Sequence, residues 1–442
     1  MAESRKDSVA GARPVVVRDS LYDRIQLRPQ ELGLLRTTAF LRLEGIKQLG
    51  FVSRVWPGAR HTRFEHSVGV LELTRRALRG LGPKLLERSG ATALDLEAVS
   101  AAALLHDIGH YPYSHAIEEL GPPIKSHEEV GRSIVESSEV ATVLERDWKL
   151  NPARVASLVQ RQTALSSIDR LLAGLLSGTL DMDKLDYLPR DAKACNVPYG
   201  GVDSDRLLDA LEIAEVDGEL RIVVNDKGIS PLHSLINARQ EMFDNVYWHH
   251  TNRACMAMLL RAVQDALLSG ALTAAELTNQ DDASLLALLE RSSMPSSTQA
   301  LVQGLRLRRL HKRAAEFSAR AGVYQSLAAL YHSPERRRVL ETQLAQKLAT
   351  MMGEPVQDHE VLIDIPKPER WPIDVWVRFR QPPVGLRALM PWQEVVGVSE
   401  DDLQRYEGHR RLIRIVTTER LRERVRADWG ELLLPGILTP TS

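Results

Sequence analysis

The most informative part of this sequence is AlaAlaAlaLeuLeuHisAspIleGlyHis, residues 101–110. Its first half is an apolar run of the kind that forms a buried helix. His106 and Asp107 follow at the end of that run, just before Gly109. A HisAsp pair also occurs by chance, and for His106 alone a structural role in the core would be the default interpretation. Its place at the end of a buried helix favours a metal ligand instead, because imidazole and carboxylate groups suit divalent first-row metals.

Two more segments carry residues of the same kind. His66 stands in ArgHisThrArgPheGluHisSer (60–67), and Asp183 stands in LeuAspMetAspLysLeuAspTyr (180–187). The sequence therefore predicts one divalent metal per chain, with Mn, Fe, Zn, Ni and Mg as candidates. The predicted ligands are His66, His106, Asp107 and Asp183.

Helical spacing places further functional side chains beside these ligands. Arg63 precedes His66 by three residues, so both lie on one helix face and can act on the same bound anion. Tyr187 and Asp191 follow Asp183 by four and eight residues, again on one face. A metal beside cationic and proton-donating groups is what the hydrolysis of a phosphate ester requires.

Three histidines follow the HisAsp pair closely. Each of His110, His115 and His127 could by itself be an ordinary surface histidine. Three of them within 21 residues of the pair instead predict phosphate binding and proton transfer near neutral pH. Glu118, three residues after His115, can keep that imidazole protonated for departure of the leaving group. The alternative is that one or two of these histidines bind a second metal.

The other charged candidates have weaker support. Asp181 and Asp186 fall on other faces of their helix, and we expect them to be exposed or helix-capping residues. Lys184 and Arg239 are candidate phosphate clamps, although a cation on a helix surface is more often solvated. The basic run at 306–313 is likewise typical of a solvated helix face, with a site for a polyanion, either nucleotide or nucleic acid, as the alternative.

The composition is that of an ordinary globular protein. The chain has 442 residues, of which 44% are hydrophobic and 26% charged, and its net charge is −1. Such a balance gives no global attraction to nucleic acid or to anionic membranes. Cys195 and Cys255 are too few for a disulfide framework. The sequence shows no signal-peptide pattern and no apolar run of membrane-spanning length, so we expect a cytoplasmic protein.

The apolar spacing predicts a mostly α protein. It indicates helices over 31–50 and 230–268, shorter helices between them, and a hairpin around the AspGly pair at 217–218. After residue 350, apolar runs broken by prolines predict strands at 361–365, 373–379 and 412–417. The predicted organisation is a flexible tail (1–14), a helical core with one small hairpin (15–350) and a smaller α+β lobe (351–442).

Together these motifs resemble those of the HD-domain deoxynucleoside triphosphate triphosphohydrolases (dNTPases). That family has bacterial dGTPase-like members and animal members with an added sterile-alpha-motif domain. The resemblance covers roughly residues 15–430 and implies an HD-domain catalytic core over 15–350. The matching segments are 37–50, 57–69, 106–115, 127–128 and 181–191.

The resemblance also implies roles for individual residues. The four predicted metal ligands fall at the family's ligand positions. Gln48 and Asp191 fall where the family holds the deoxyribose 3′-hydroxyl, and Tyr247 falls where it packs under the sugar. With Leu49, these residues are expected to close around a sugar that lacks a 2′-hydroxyl, and so to exclude ribonucleotides. Contacts with the triphosphate are implied for Arg63, His110, His115, His127, Lys184, Tyr187 and Arg239.

The chain departs from the family pattern at three places. Glu118 replaces the Asp of the animal members, and Tyr111 replaces the usual Gly, which we expect to add bulk near the pocket. At the positions where the animal members bind an activating guanine base, this chain lacks the matching polar residues. Arg308 and Lys312 still match the positions that bind activator phosphates, and their spacing predicts a basic pair on one helix face. The unmatched guanine positions are Arg36, Leu41 and Glu44.

The sequence thus predicts an enzyme that cleaves dNTPs to deoxynucleoside and inorganic triphosphate. Water attacks the α-phosphorus, and an imidazole, most simply that of His115, protonates the leaving 5′-oxygen. Expected partners are the dNTP substrate, additional Mg²⁺ on its triphosphate, an activating dNTP, and further copies of the chain in a dimer, tetramer or hexamer. No membrane and no nucleic acid is implied. The alternatives are an HD phosphodiesterase or nucleotidase, and a nucleotide- or nucleic-acid-sensing module with a vestigial site.

Overall fold

The structure, a computed structural model, describes residues 15–160, 166–368 and 373–437, so the predicted tail at 1–14 lies outside it. The described chain begins with an antiparallel hairpin that the sequence analysis missed. Its turn places Asp23 at a φ of 57°, a left-handed conformation that Asp tolerates without the usual glycine signal. The strands are β1 (Val15–Asp19) and β2 (Asp23–Leu27).

The single helix predicted over 31–50 is wrong. The segment forms two short helices and two 3-10 turns. Between the turns, the Gln48 N–H donates to the His61 carbonyl at 3.0 Å instead of to a helical neighbour. Gly50 then takes a left-handed φ of 49°, which a helix cannot accommodate. The elements are α1 (Pro29–Leu35), α2 (Thr38–Leu41) and the 3-10 turns Arg42–Gly45 and Gly50–Arg54.

The apolar run at 101–105 lies at the centre of the helical core. A capping box of Thr92 and Asp95 begins its helix, and every residue from Ala98 to Leu105 is buried. The helix ends at Leu105, so the HisAsp pair lies just beyond its last turn. The core helices are α3 (Arg63–Arg88), α4 (Ala93–Leu105), α5 (His127–Ser137), α6 (Glu139–Val143), α7 (Pro152–Val159), α8 (Ser167–Ala173) and α9 (Met182–Cys195).

A close approach of two backbones fixes the start of α5. A Cβ built on Gly109 would stand 2.1 Å from the His127 carbonyl oxygen and 2.3 Å from the Gly131 nitrogen. Only glycine permits this contact. It brings His127, the first residue of α5, beside the segment that follows the HisAsp pair.

The hairpin predicted around 217–218 is confirmed. It follows α10 (Ser204–Asp209), and Asp217 and Gly218 both take positive φ values, as a two-residue turn of this kind requires. Its strands are β3 (Leu211–Val216) and β4 (Glu219–Asn225), paired antiparallel.

The prediction of one continuous helix over 230–268 is wrong, because the segment forms two helices. A π-helical turn at Phe243–Tyr247 separates two helices, and the His249 side chain accepts a hydrogen bond from the Thr251 N–H to cap the second. The π turn gives the chain a bend at Tyr247 that a continuous helix would lack. The helices are α11 (Ile229–Met242) and α12 (His250–Leu268).

Three helices pack on α12 and build a second hydrophobic core. They are α13 (Ala274–Leu277), α14 (Asp282–Leu289) and α15 (Ser296–Arg306). The basic pair predicted on one helix face is wrong, because α15 ends before it. Arg308 takes a left-handed φ of 57°, and Lys312 begins a strand, β5 (Lys312–Phe317), that pairs with residues near the C-terminus.

The predicted strands after residue 350 are confirmed, although the one predicted over 373–379 is shorter. They join two small sheets, in the orders β3-β4-β7-β8 and β5-β9-β6, to which strands from both sides of residue 350 contribute. The division at 350 stays a prediction. The elements are α16 (Tyr324–Ala328), α17 (Pro334–Met352), β6 (Val361–Asp364), β7 (Trp376–Arg378), β8 (Leu389–Pro391), α18 (Trp392–Val396), α19 (Glu400–Arg410), β9 (Ile413–Thr417) and α20 (Arg422–Ile437).

The mostly α fold class, with small β elements, is confirmed. The expectation of one hairpin before residue 350 is wrong, since β1, β2 and β5 also lie there. Among the described helices, none is both long and apolar enough to cross a membrane.

We predict that Gly109→Ala lowers the free energy of unfolding by about 1–3 kcal/mol or more, because the added methyl must displace the backbone of α5. Gly80→Ala is the matched control. Gly80 lies in α3 with open space around its Cβ position, so the same change should be neutral or stabilise by up to about 1 kcal/mol. Chemical denaturation followed by circular dichroism measures both, and equal effects would contradict the close contact.

Candidate active site

One cleft of about 670 Å³ gathers the residues that the sequence singled out. His66 lies beneath it, fully buried. Arg308 and Lys312 are not among its lining residues. The predicted site residues that line the cleft are Gln48, Leu49, Arg63, His106, Asp107, His110, His115, Glu118, His127, Asp183, Lys184, Tyr187, Asp191, Arg239 and Tyr247.

Three of the four predicted metal ligands, His66, His106 and Asp107, bring ligand atoms within 4.8 Å of one another, and Asp183 lies beside the two histidines. His66 Nε2 lies 3.0 Å from Asp183 Oδ1 and 3.2 Å from His106 Nε2. Asp107 Oδ1 lies 3.4 Å from His106 Nε2. Ligand atoms bound at about 2.0–2.2 Å to one ion stand roughly 3–3.5 Å from each other, so the spacing fits a single divalent metal.

Each histidine ligand is held in the tautomer that a metal requires. His66 Nδ1 donates to Asp186 Oδ2 at 2.8 Å, and His106 Nδ1 donates to the Ala103 carbonyl at 2.8 Å. Both rings therefore present Nε2 to the site. The sequence analysis expected an exposed or capping role for Asp186, and that expectation is wrong, because this carboxylate is fully buried.

Asp186 is the centre of a buried charge network. It accepts hydrogen bonds from Arg190 Nε at 2.8 Å and from the Tyr22 hydroxyl at 2.8 Å. Burial raises the pKa of Asp186, but Arg190 and His66 outweigh it and lower the pKa to about 2. The i, i+4 spacing of Asp186 and Arg190 was a signal that the sequence analysis did not use. For Asp181 the capping role is confirmed, since it caps α9.

Asp107 links the metal ligands to the phosphate-binding candidates. Arg63 Nη1 donates to Asp107 Oδ2, and His110 Nε2 lies 3.1 Å from Asp107 Oδ1. Burial raises the pKa of Asp107, but Arg63 and the neighbouring histidines hold it well below the usual range. The carboxylate is therefore ionised, as a metal ligand must be.

The histidine cluster predicted after the HisAsp pair forms. The His110 and His127 rings stack with centroids 3.9 Å apart, and His115 stands edge-on to His127 at 5.1 Å. Glu118 accepts from His127 Nδ1 at 3.0 Å, whereas His115 Nδ1 lies 3.6 Å from it. Glu118 thus holds His127 directly, and its predicted support of His115 is the longer contact.

Burial and charge set the protonation of this cluster. Burial lowers the pKa of His127, but the effect of Glu118 is larger and opposite, so the pKa lies above its ordinary value. Burial and Arg63 lower the pKa of His110 well below its ordinary value. The two shifts run in opposite directions, so they favour the neutral form of His110 and the protonated form of the His127 ring stacked on it.

Comparison with known proteins identifies the domain. Residues 63–191, from the start of α3 to Asp191, match the HD domain family, and residues 202–381 match the family described as the HD associated region. The chain is an HD-domain protein. The HD match spans the four predicted metal ligands and the histidine cluster, and the predicted resemblance is confirmed.

Relatives of this HD-domain protein come from several kingdoms. An uncharacterized protein of Methanocaldococcus jannaschii is 34% identical over 277 residues, 63% of this chain and 55% of its own. The human deoxynucleoside triphosphate triphosphohydrolase SAMHD1 is 28% identical over 277 residues, 56% of this chain and 44% of its own. The chain thus spans about half the length of the curated relatives it matches.

A solved structure shares the fold. The crystal structure of a hypothetical protein from Aquifex aeolicus superposes with a TM-score of 0.72 at 24% identity, covering 94% of this chain and all of that one.

A polar cluster lies on another wall of the HD-domain cleft. The Tyr247 hydroxyl donates to Asp191 Oδ2 at 2.7 Å, and His61 Nε2 lies 2.7 Å from Asp191 Oδ1. Gln48 Oε1 is buried without a hydrogen-bond partner among the described residues. The sequence analysis missed His61, although it lies inside the quoted segment 60–67.

The structure gives the surroundings of three other predicted residues, Lys184, Arg239 and Tyr111. Lys184 lines the cleft, but its Nζ already donates to Asp181 and to the Gly178 carbonyl, each at 2.7 Å. The Arg239 guanidinium lies 5.6 Å above the Phe243 ring. The expected bulk of Tyr111 near the pocket is wrong, because its side chain packs into the second core and does not line the cleft.

Asp186→Asn should weaken metal binding by about 10- to 100-fold, because the amide no longer fixes the His66 tautomer or neutralises Arg190. Asp205→Asn is the control, since Asp205 is an exposed carboxylate paired only at the surface with Arg76. Metal titration after chelation and dialysis measures the affinity. Equal affinities of the two variants would exclude a role of Asp186 in the site.

Proposed function

We propose that this HD-domain protein hydrolyses dNTPs to deoxynucleoside and inorganic triphosphate. The observation that carries the proposal is that a single cleft joins a metal-ligand cluster, a cluster of histidines and cations, and a polar cluster of sugar-binding type. The similarity of the HD domain to a human enzyme named as a dNTP triphosphohydrolase supports it.

The metal and the cationic side chains would have different roles in the reaction. A divalent ion held by His66, His106, Asp107 and Asp183 would activate water and polarise a phosphate oxygen. Arg63 and Arg239, with further Mg²⁺ carried by the substrate, would neutralise the triphosphate as charge shifts onto it. Mn, Fe, Zn, Ni and Mg all suit this mixed imidazole and carboxylate set.

An imidazole would protonate the leaving 5′-oxygen. We assign this step to His115, which is 61% exposed on its side chain and stands at the open side of the histidine cluster. His127, bonded to Glu118, is the second candidate. The carboxylate of Glu118 accepts from His127 Nδ1 and lies 3.6 Å from His115 Nδ1, so it can orient both imidazoles.

The polar cluster would read the sugar. Asp191 has both carboxylate oxygens occupied by His61 and Tyr247, so it acts on the sugar in part by fixing the Tyr247 ring. Gln48 Oε1 offers a buried acceptor that a 3′-hydroxyl can satisfy. Leu49 and Tyr247 would close the space that a 2′-hydroxyl needs.

Partners are proposed on the same basis. A homo-oligomer and activation by a dNTP fit the resemblance, but Arg308 and Lys312 do not form the helix-face pair that was expected to bind activator phosphates.

A second function has one observation in its favour. His110, His115, Glu118 and His127 bring ligand atoms within 4.8 Å of one another, as a two-metal phosphodiesterase would need.

Purified protein should release inorganic triphosphate from dATP, dGTP, dCTP or dTTP with Mn²⁺ or Mg²⁺, and much less from the matching ribonucleotides. Loss of one buried hydrogen bond and a steric clash separate the two sugars by several kcal/mol, on the order of 100-fold or more in rate. Anion-exchange chromatography identifies the products, with the His106→Ala/Asp107→Ala double variant as control. Release of phosphate or pyrophosphate alone, with two metals per chain, would favour the phosphodiesterase or nucleotidase.

His115→Ala should lower kcat by about 100- to 10,000-fold with a smaller change in KM, because it removes the proposed proton donor. His127→Ala, measured in parallel, decides between the two imidazoles. Steady-state kinetics on one dNTP provide the test, and near-normal kcat for His115→Ala would transfer the role to His127.

Glu118→Gln should move the alkaline limb of the kcat profile to lower pH. The carboxylate raises the pKa of His127, so its loss lets the cluster lose its proton earlier as pH rises. Glu129→Gln is the control, because Glu129 is exposed and its carboxylate accepts from the Ser126 N–H at the start of the same helix. Identical profiles for both variants would contradict this role of Glu118.

A further inference from the structure

Asp282 is a buried carboxylate outside the cleft that no step above uses. It is the first residue of α14 and is only 3% exposed. Two segments that carry cleft residues lie against it.

The two carboxylate oxygens of Asp282 bind different segments of the cleft wall. Oδ1 accepts from the Tyr113 N–H at 2.9 Å, and Oδ2 accepts from both the N–H and Nζ of Lys47 at 3.3 Å. The Asp282 carbonyl also accepts from the Tyr113 hydroxyl at 3.1 Å. One residue thus ties the segment before Gln48 to the segment before His115.

Both segments have backbones that need such support. Gly50, Tyr113 and Ser114 take φ values of 49°, 58° and 62°, and the last two are unfavourable for residues with side chains. The Phe51 and Tyr113 rings stack at 4.2 Å, and Ser114 Oγ donates to the Gln48 carbonyl at 3.1 Å. These contacts tie the two segments to each other as well as to Asp282.

The start of α14 reaches this position because of a second close approach. A Cβ on Gly45 would stand 2.6 Å from Asp281 Oδ2 and 2.7 Å from Asp281 Cβ. Glycine at 45 lets α14 lie directly against the 45–48 segment. This close approach brings Asp282 to the cleft wall. The Asp281 side chain accepts from the Ser284 N–H and so caps α14.

We propose that Asp282 is a positioning residue that fixes the spacing between Gln48, on the sugar side of the cleft, and His115, on the leaving-group side. It acts through Lys47 and Tyr113 and touches no substrate. The proposal rests on the proposed function, because its consequence is that Asp282 sets both turnover and the preference for deoxyribose.

Asp282→Asn keeps the size of the side chain but replaces one acceptor oxygen with an amide that cannot accept. Misplacement of reacting groups by about 1 Å costs up to roughly 100-fold, so we expect kcat/KM for a dNTP to fall by about 10- to 100-fold. The ratio of dNTP to NTP turnover should fall as well. Hydrogen exchange at 46–50 and 112–116 should become faster, and metal content should stay at the parent level.

Two further variants separate positioning from stability. Asp281→Ala removes the cap of the same helix and leaves the bonds to Lys47 and Tyr113, so it should lower the melting temperature and keep the dNTP preference. Lys47→Met removes the ionic contact alone and should give a smaller change in the direction of Asp282→Asn. The effects of Lys47→Met and Asp282→Asn should be less than additive when combined, because both act on one contact.

The outcomes distinguish this proposal from the proposed function. If the parent protein cleaves no dNTP, the proposed function fails, and the exchange measurement still decides whether Asp282 holds the two segments. Unchanged exchange in Asp282→Asn would overturn the proposal, as would an unchanged dNTP to NTP ratio in an active parent. Loss of the dNTP preference in Asp281→Ala would also overturn it, because general stability of α14 would then explain the effect.

Discussion

Ionised carboxylates buried beneath the cleft are the constraint on which the rest of this structure depends. Removing a carboxylate from water costs several kcal/mol unless a cation and further hydrogen bonds replace the solvent. Asp107 meets this need through Arg63 of α3, and Asp186 meets it through Arg190 of α9 and His66 of α3. Arg190 lies on the same helix as Asp186, but Arg63 and His66 come from α3, so their pairs with Asp107 and Asp186 also fix how α3 packs against the end of α4 and against α9.

The candidate metal ligands could be singled out in the sequence because each stands in a segment with a clear local pattern. His106 and Asp107 end a helix whose apolar run is unmistakable, and Asp183 begins a helix whose periodicity places Tyr187 and Asp191 on the same face. The hairpin at 217–218 followed from its AspGly turn for the same reason. In each case the deciding interactions lie within a few residues of one another.

Other features depend on contacts that are distant in the sequence. The helix predicted over 31–50 is broken by a bond from Gln48 to His61, and the one over 230–268 is broken by the π turn that carries Tyr247. Asp186 looked like a solvent-facing residue until its partners Tyr22 and His66 were placed beside it. Apolar periodicity contains no information about which polar group will find a distant partner.

The two chemical halves of the site belong to different hydrophobic cores. The metal ligands extend from helices of the first core, which includes Leu105, Ile108 and Leu185. The histidine cluster is flanked by residues of the second, which includes Ile117 and Val130. A tightly packed core shifts as a body more readily than it deforms, so the distance between the candidate metal ligands and the histidine cluster follows the relative position of the two cores. Polar contacts that cross between them, such as His110 to Asp107, therefore set the spacing of the site more directly than the packing within either core.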